Sequence, residues 1–199
     1  MKHSITLFID KAEEMIREVS DIANLSSDNI SNFAHALELW LIKAEQLFKE
    51  YNHGEQALLA ALRPSVILAG CAGAIDTNDA ITGRRKRRKA LLAEYLKQSV
   101  DFFYRPYARE KEKVDEANDI VRQVVLVALQ TGLLNNVSLT LPIKAEQLVE
   151  IQNLLYTDDE LSKGINRTLA IIAYPDLLRL IDLNLTNVLS GIRYSRSIS

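Results

Sequence analysis

Six consecutive cationic side chains form the most concentrated chemical feature of this sequence. They are Arg84, Arg85, Lys86, Arg87, Arg88 and Lys89, called the cationic run below. The chain has a formal charge of −2, yet residues 84–113 have a charge balance of +7. Such a basic window attracts polyanions even when the rest of the protein is acidic. We expect nucleic-acid phosphate or an acidic protein surface as its partner; the alternatives are a solvated helix start and a sorting signal.

The position of the cationic run strengthens the expectation of an anionic partner. The run is predicted to open a helix, and the positive end of a helix dipole disfavours cations. Six adjacent cations also repel one another. This arrangement costs local stability, so the sequence predicts a compensating anion.

Aromatic and arginine side chains alternate further along the same window, between residues 102 and 109. Arg105 and Arg109 are candidates for phosphate binding, and Tyr104 and Tyr107 are candidates for stacking on bases. Single-stranded nucleic acid is commonly held by aromatic stacking together with cationic contacts to the backbone. The structural alternative is that helical spacing buries the phenylalanines and leaves both tyrosines lining a kink at Pro106.

The sequence predicts no metal site, cofactor or catalytic residue. His35 and Glu38 are three residues apart, but their order is the reverse of the Glu-x-x-His pattern of di-iron bundles. The single cysteine, Cys71, lies in an apolar stretch where burial would make its thiol inert. The sequence contains neither the Gly-x-Ser-x-Gly elbow nor the Gly-x-x-x-x-Gly-Lys phosphate loop. We therefore expect a protein that is not an enzyme.

Composition indicates a globular protein. Its 199 residues are 48% hydrophobic and 25% charged, with seven glycines and four prolines. One cysteine excludes an internal disulfide framework and, with no signal-peptide pattern at the start, predicts a cytoplasmic protein. The apolar segment 57–75 is interrupted by Arg63-Pro64, and its longest uninterrupted part, eleven residues, is too short to span a bilayer. We predict no membrane span.

The hydrophobic pattern predicts helices almost throughout. Apolar residues recur every three or four positions from Ile5 to Ala23 and again from Ile30 to Tyr51. The third element, about 55–75, is apolar all round and is predicted to be a central, buried helix. Its small residues Ser65, Ala69 and Gly73 would allow close backbone approach. A strand at 66–70 is the rival interpretation.

The second half of the chain is predicted to hold five more helices. The fourth runs from the cationic run to Pro106, which ends or kinks it, and the fifth covers about 107–131. Three others begin near Pro142, near Asp158 and after Tyr174, with at most a short extended piece at 137–140. The predicted fold is all-α, a bundle of about seven to eight amphipathic helices in one domain, 1–199; the alternative has a subdomain break near 132–142. The predicted core includes Ile16, Leu37, Trp40, Leu47, Val124, Ile181 and Leu185.

The leading functional hypothesis is a non-enzymatic binding or assembly protein that contacts nucleic-acid phosphate through residues 84–113 without reading base sequence. The alternative is a structural subunit of a phage particle or other homo-oligomer. There, the cations would meet an acidic patch on a neighbouring copy formed by Asp10, Glu13, Glu14 and Glu18. An enzyme of unknown chemistry is the third hypothesis.

Overall fold

The protein is all-α, as the hydrophobic pattern predicts. The computed structural model describes residues 3–26, 29–71, 80–137, 139 and 141–196. These residues form seven helices and no strand. The helices are α1 (Ile5–Leu25), α2 (Ile30–Glu50), α3 (Gln56–Cys71), α4 (Ala80–Gln130), α5 (Ala145–Leu155), α6 (Asp159–Ile171) and α7 (Tyr174–Arg196). Within the described residues, no helix combines the length and hydropathy needed to cross a membrane.

The chain divides into two compact units. One is Leu7–Glu110, and the other joins Met1–Thr6 to Lys111–Ser199. The division therefore falls within α1 after Thr6 and within α4 after Glu110. The organisation as a single domain, with its alternative break near 132–142, stays a prediction.

An aromatic cluster forms the centre of the Leu7–Glu110 unit. The Trp40 ring lies 5.2 Å from that of Phe103, which stacks on Phe48 at 5.1 Å between ring centroids. Trp40 Nε1 also donates a hydrogen bond to the Met15 carbonyl oxygen at 2.9 Å. This bond satisfies the one polar atom of the buried indole, so Trp40 fixes α1, α2 and α4 against one another.

The third helix is buried on one face only, which corrects the prediction of a helix buried all round. Leu59, Val66 and Ala69 are buried, whereas Leu68 is exposed. Cys71 is also exposed, so the prediction of a buried thiol is wrong. The close approach comes from Gly70, where an added Cβ would lie 2.7 Å from the Ala34 Cβ. Gly73 lies outside the described residues.

One continuous helix of 51 residues, α4, replaces the two helices predicted around Pro106. Proline lacks the N–H that would bond to the Phe102 carbonyl, at a cost of about 3 kcal/mol or more in a helix interior. Side chains of α4 are buried on both sides of the proline, including Leu92 and Phe103 before it and Val121 and Val125 after it. The burial of these side chains thus outweighs the tendency of Pro106 to end the helix.

The second unit has its own hydrophobic core, built from the later part of α4 and from α5, α6 and α7. At Gly164 of α6 an added Cβ would lie 2.6 Å from the Val124 Cγ2, so this glycine allows close packing on α4.

Of the seven predicted core residues, six are buried and Ile16 is only half-buried. The core prediction is therefore largely confirmed.

A buried carboxylate ties the start of α1 to α7 within this second unit. Asp176, in the first turn of α7, accepts hydrogen bonds from the Ser4 Oγ at 2.5 Å and the Thr6 Oγ1 at 2.6 Å. It also accepts bonds from the backbone N–H groups of Ile5 and Thr6 at 3.0 and 3.2 Å. N–H groups in the first turn of a helix lack intrahelical partners, so Asp176 caps α1 from a distant part of the chain.

Candidate polyanion interface

The cationic run lies in the second and third turns of α4. The helix begins at Ala80, so Arg84 is its fifth residue and not its first, as the sequence had suggested. The effect of the helix dipole falls off within the first turn. The dipole therefore disfavours these cations less than the sequence interpretation implied.

The six cations surround the helix and do not share one face. Successive residues of an α-helix are rotated by 100°, so six consecutive side chains cover the whole circumference. Lys86, Arg87 and Lys89 are exposed. Arg84 and Arg85 are also exposed, but each has an interaction partner within the protein. The cations best placed for an external ligand are therefore the three at positions 86, 87 and 89.

Arg88 performs a different task, because it binds the C-terminal end of α3. Its Nε donates to the Ala69 carbonyl oxygen at 2.8 Å, and its Nη2 donates to the Gly70 carbonyl oxygen at 2.7 Å. The last four carbonyl groups of a helix have no intrahelical partner, and they form the negative end of its dipole. At Arg88, the negative end of the α3 dipole therefore compensates the positive charge, and no external anion is needed at this position.

Arg105 and Arg109 differ in their availability. The Arg105 guanidinium lies over the Phe102 ring at 5.6 Å from its centroid and remains exposed. Arg109 faces two carboxylates: its Nη1 is 3.5 Å from a Glu55 oxygen, and its Nε is 3.6 Å from a Glu110 oxygen. Because these partners balance its charge, Arg109 is the weaker of the two candidates for phosphate binding.

Of the two stacking candidates, only Tyr104 has an open ring. Its side chain is 54% exposed, whereas Tyr107 is 7% exposed and donates its hydroxyl hydrogen to the Glu13 Oε1 at 3.1 Å. The two rings lie 5.4 Å apart in a tilted arrangement. A base could therefore stack on Tyr104, but burial leaves no face of Tyr107 for it.

Helical spacing places Tyr104 in line with two cations on the exposed side of α4. We call this line the α4 strip; its residues, all exposed, are Lys86, Ala90, Ala93, Lys97, Asp101, Tyr104 and Ala108. At a rise of 1.5 Å per residue, Lys86 and Tyr104 are roughly 27 Å apart along the helix. Lys97 is not among the binding residues predicted from the sequence. It lies eleven residues after Lys86 and seven before Tyr104, so helical spacing alone places it on this strip.

The predicted acidic patch on α1 is partly used inside the protein. Glu13 accepts the Tyr107 hydrogen bond, and Glu18 pairs with Lys43 at 2.9 Å. A neighbouring pair joins Lys11 to Glu50 at 2.8 Å, and this hydrogen bond raises the pKa of Lys11. The cleft between α1 and α2 is therefore lined by side chains of both charges. Such a surface is a poor match for the exposed cations of a second copy.

The described part of the chain contains no group of three or more histidine, cysteine or carboxylate side chains that could hold a metal ion. His35 is exposed and Glu38 is half-buried on α2.

Comparison with known proteins adds no assignment: no family model, curated protein or solved structure matches the chain.

Proposed function

We propose that this protein is a non-enzymatic binding protein that holds nucleic-acid phosphate along the exposed side of α4. The observation that carries the proposal is the exposure of Lys86, Arg87 and Lys89 on a helix that also presents Lys97 and Arg105 to solvent. The exposed Glu94 on the same helix opposes the binding of phosphate, and Asp76 and Asp79 lie outside the described residues.

Binding of this kind is electrostatic and reads no base sequence. Each contact between a cation and a phosphate releases condensed counterions, which gives binding its free energy and its dependence on salt. Non-specific complexes of this type have dissociation constants of about 10⁻⁴ to 10⁻⁶ M at physiological salt. The two alanines that separate Lys86 from Lys97 leave the α4 strip without bulky side chains between its cations, so a backbone can lie along it.

Tyr104 gives the surface a preference for single strands. Unpaired bases can stack on an exposed aromatic ring, and such stacking contributes about 1–3 kcal/mol per base. Bases in a duplex are already stacked on each other, so Tyr104 would add little there. The carboxylate of Asp101 lies next to Tyr104 on the same strip and opposes the binding of phosphate.

The test is a comparison of charge-matched variants in an anisotropy titration with a labelled oligonucleotide of 20 nucleotides at low salt. The triple variant K86A/R87A/K89A should bind at least tenfold more weakly than the parent. The control is R122A/K144A/K163A, which removes three exposed cations from the other unit and should bind like the parent. Equal losses in both variants would mean that only net charge matters, and equal binding by all three proteins would refute the proposed site.

A further inference from the structure

The stretch of α4 between residues 90 and 108 carries charges of both signs that sum to zero. Lys97 and Asp101 lie on the α4 strip, and Glu94 and Arg105 lie together on one flank of it, about 20° apart around the helix axis. All four side chains are exposed. Among the described residues, neither Lys97 nor Asp101 has an ion-pair partner. This stretch therefore differs from the cationic run, which carries one sign of charge.

The order of these charges makes the face complementary to itself. In a two-fold symmetric pair of antiparallel helices, residues at equal distances before and after the axis lie opposite each other. An axis at the level of Ser99 places Lys97 opposite Asp101 of the second copy. The same axis brings Glu94 within one residue of Arg105 of the second copy, and matching flanks of antiparallel helices lie on the same side. The two-fold axis repeats both contacts, and such complementarity fixes the register of an interface.

Tyr104 supplies an anchor in the same register. Its ring is 54% exposed, and in this register it lies opposite the turn of the second copy that carries Ala90 and Ala93. In paired helices a side chain of one helix inserts between side chains of the other, and the small alanines leave room for the ring. Tyrosine is also enriched among the residues that dominate binding energy at interfaces. Shape and charge therefore select one register.

The cationic run selects the antiparallel direction. In a parallel pair the two runs would lie side by side and repel each other. In the antiparallel pair about Ser99, the two copies of Arg87 are roughly 36 Å apart along the helix axis. This distance is several times the Debye length of about 8 Å at physiological ionic strength, so the repulsion is screened.

We propose that α4 pairs with α4 of a second copy, antiparallel and centred at Ser99, through the exposed face between residues 90 and 108. The paired stretch is roughly 27 Å long. An interface of this size is typical of a reversible dimer whose population depends on protein concentration.

This inference does not depend on nucleic-acid binding. The cationic run lies outside the paired stretch, so phosphate binding by the run is compatible with pairing. The pair covers Tyr104, so stacking of a base on its ring requires separated copies.

The test is sedimentation equilibrium of the nuclease-treated, full-length chain from about 1 to 200 µM, a range that covers weak dimers. The parent should change from monomer to dimer as its concentration rises. Lys97→Asp and Asp101→Lys should each weaken the dimer at least tenfold, because each variant creates two contacts between like charges. An equimolar mixture of these two variants should dimerise like the parent, because each copy then offers the other the opposite charge.

The matched control is Arg122→Asp, which reverses an exposed charge further along α4 and should dimerise like the parent. Far-ultraviolet circular dichroism checks that every variant keeps the parent's helix content. A change that acted only within one helix would weaken the mixture as much as the single variants, so the mixture isolates the contact between copies.

Three outcomes would overturn the proposal. The first is a parent that stays monomeric at every concentration. The second is dimerisation of Lys97→Asp and Asp101→Lys at the concentrations at which the parent dimerises, which would place the interface elsewhere. The third is a mixture of the two folded variants that dimerises no better than either alone, which would exclude the register about Ser99.

Discussion

Replacing Arg88 by alanine should destabilise the protein more than any other single substitution in the cationic run. The change removes two hydrogen bonds, of 2.8 and 2.7 Å, and leaves the Ala69 and Gly70 carbonyl groups without their partner. Hydrogen bonds that involve a charged group contribute about 1.5–3 kcal/mol each. Because Arg88 is only half-buried, water can replace part of this interaction. We expect a loss of about 2–3 kcal/mol.

The assay is urea unfolding followed by the fluorescence of Trp40. This is the only tryptophan of the chain, and it lies in the core of the same unit as Arg88. Arg87→Ala is the matched control, because an exposed substitution away from specific contacts usually changes stability by no more than about 0.5 kcal/mol. Arg88→Lys should be intermediate, since an ammonium group lacks the planar fork that reaches both oxygens. Identical unfolding midpoints for Arg88→Ala and Arg87→Ala would refute the capping role.

Three other predictions concern stability. Trp40→Ala should cost about 3–5 kcal/mol, because it empties a buried aromatic site, and an unchanged melting temperature would contradict that burial. Asp176→Ala should lower the free energy of unfolding by about 3 kcal/mol or more, because it leaves several buried donors unpaired. If calorimetry finds the Asp176→Ala variant as stable as the parent, α1 needs no such cap. The Lys11–Glu50 pair should stabilise the fold modestly below pH 10.5, and this contribution should be lost as the pH rises through the raised pKa of Lys11. Glu50→Gln should remove that dependence, and a pH profile identical to the parent's would exclude the pair as its source.

The helices that the sequence predicted well have one apolar stripe and clear ends. The second helix is an example: its apolar residues recur at helical spacing, and Asn29 accepts a hydrogen bond from the Ser31 N–H at its start. Local pattern fails at Pro106, because the burial of Phe103 and Val121 decides whether α4 continues, and packing of this kind is not written in the local sequence. The sequence of α3 is apolar on nearly all sides of the helix. Its pattern therefore could not show that the rest of the protein covers only the side that carries Leu59.

The sequence predicted where the candidate site lies but not what each of its residues does. Composition identified the cationic run, but it could not separate Arg88 from its neighbours, since that distinction depends on carbonyl groups 18 and 19 residues away in the sequence. The internal use of Glu13 by Tyr107 has the same long-range character. Lys97 is different, because its place on the α4 strip follows from helical spacing alone and was overlooked.

The salt dependence of oligonucleotide binding tests the central claim most directly. The affinity of the parent and of K86A/R87A/K89A should be measured from 50 to 200 mM salt. If the three side chains each contact one phosphate, removing them should flatten the slope of log affinity against log salt by about 2 to 3, at 0.7–0.9 per contact. The control R122A/K144A/K163A should keep the slope of the parent. Parallel lines for the parent and K86A/R87A/K89A would contradict the account.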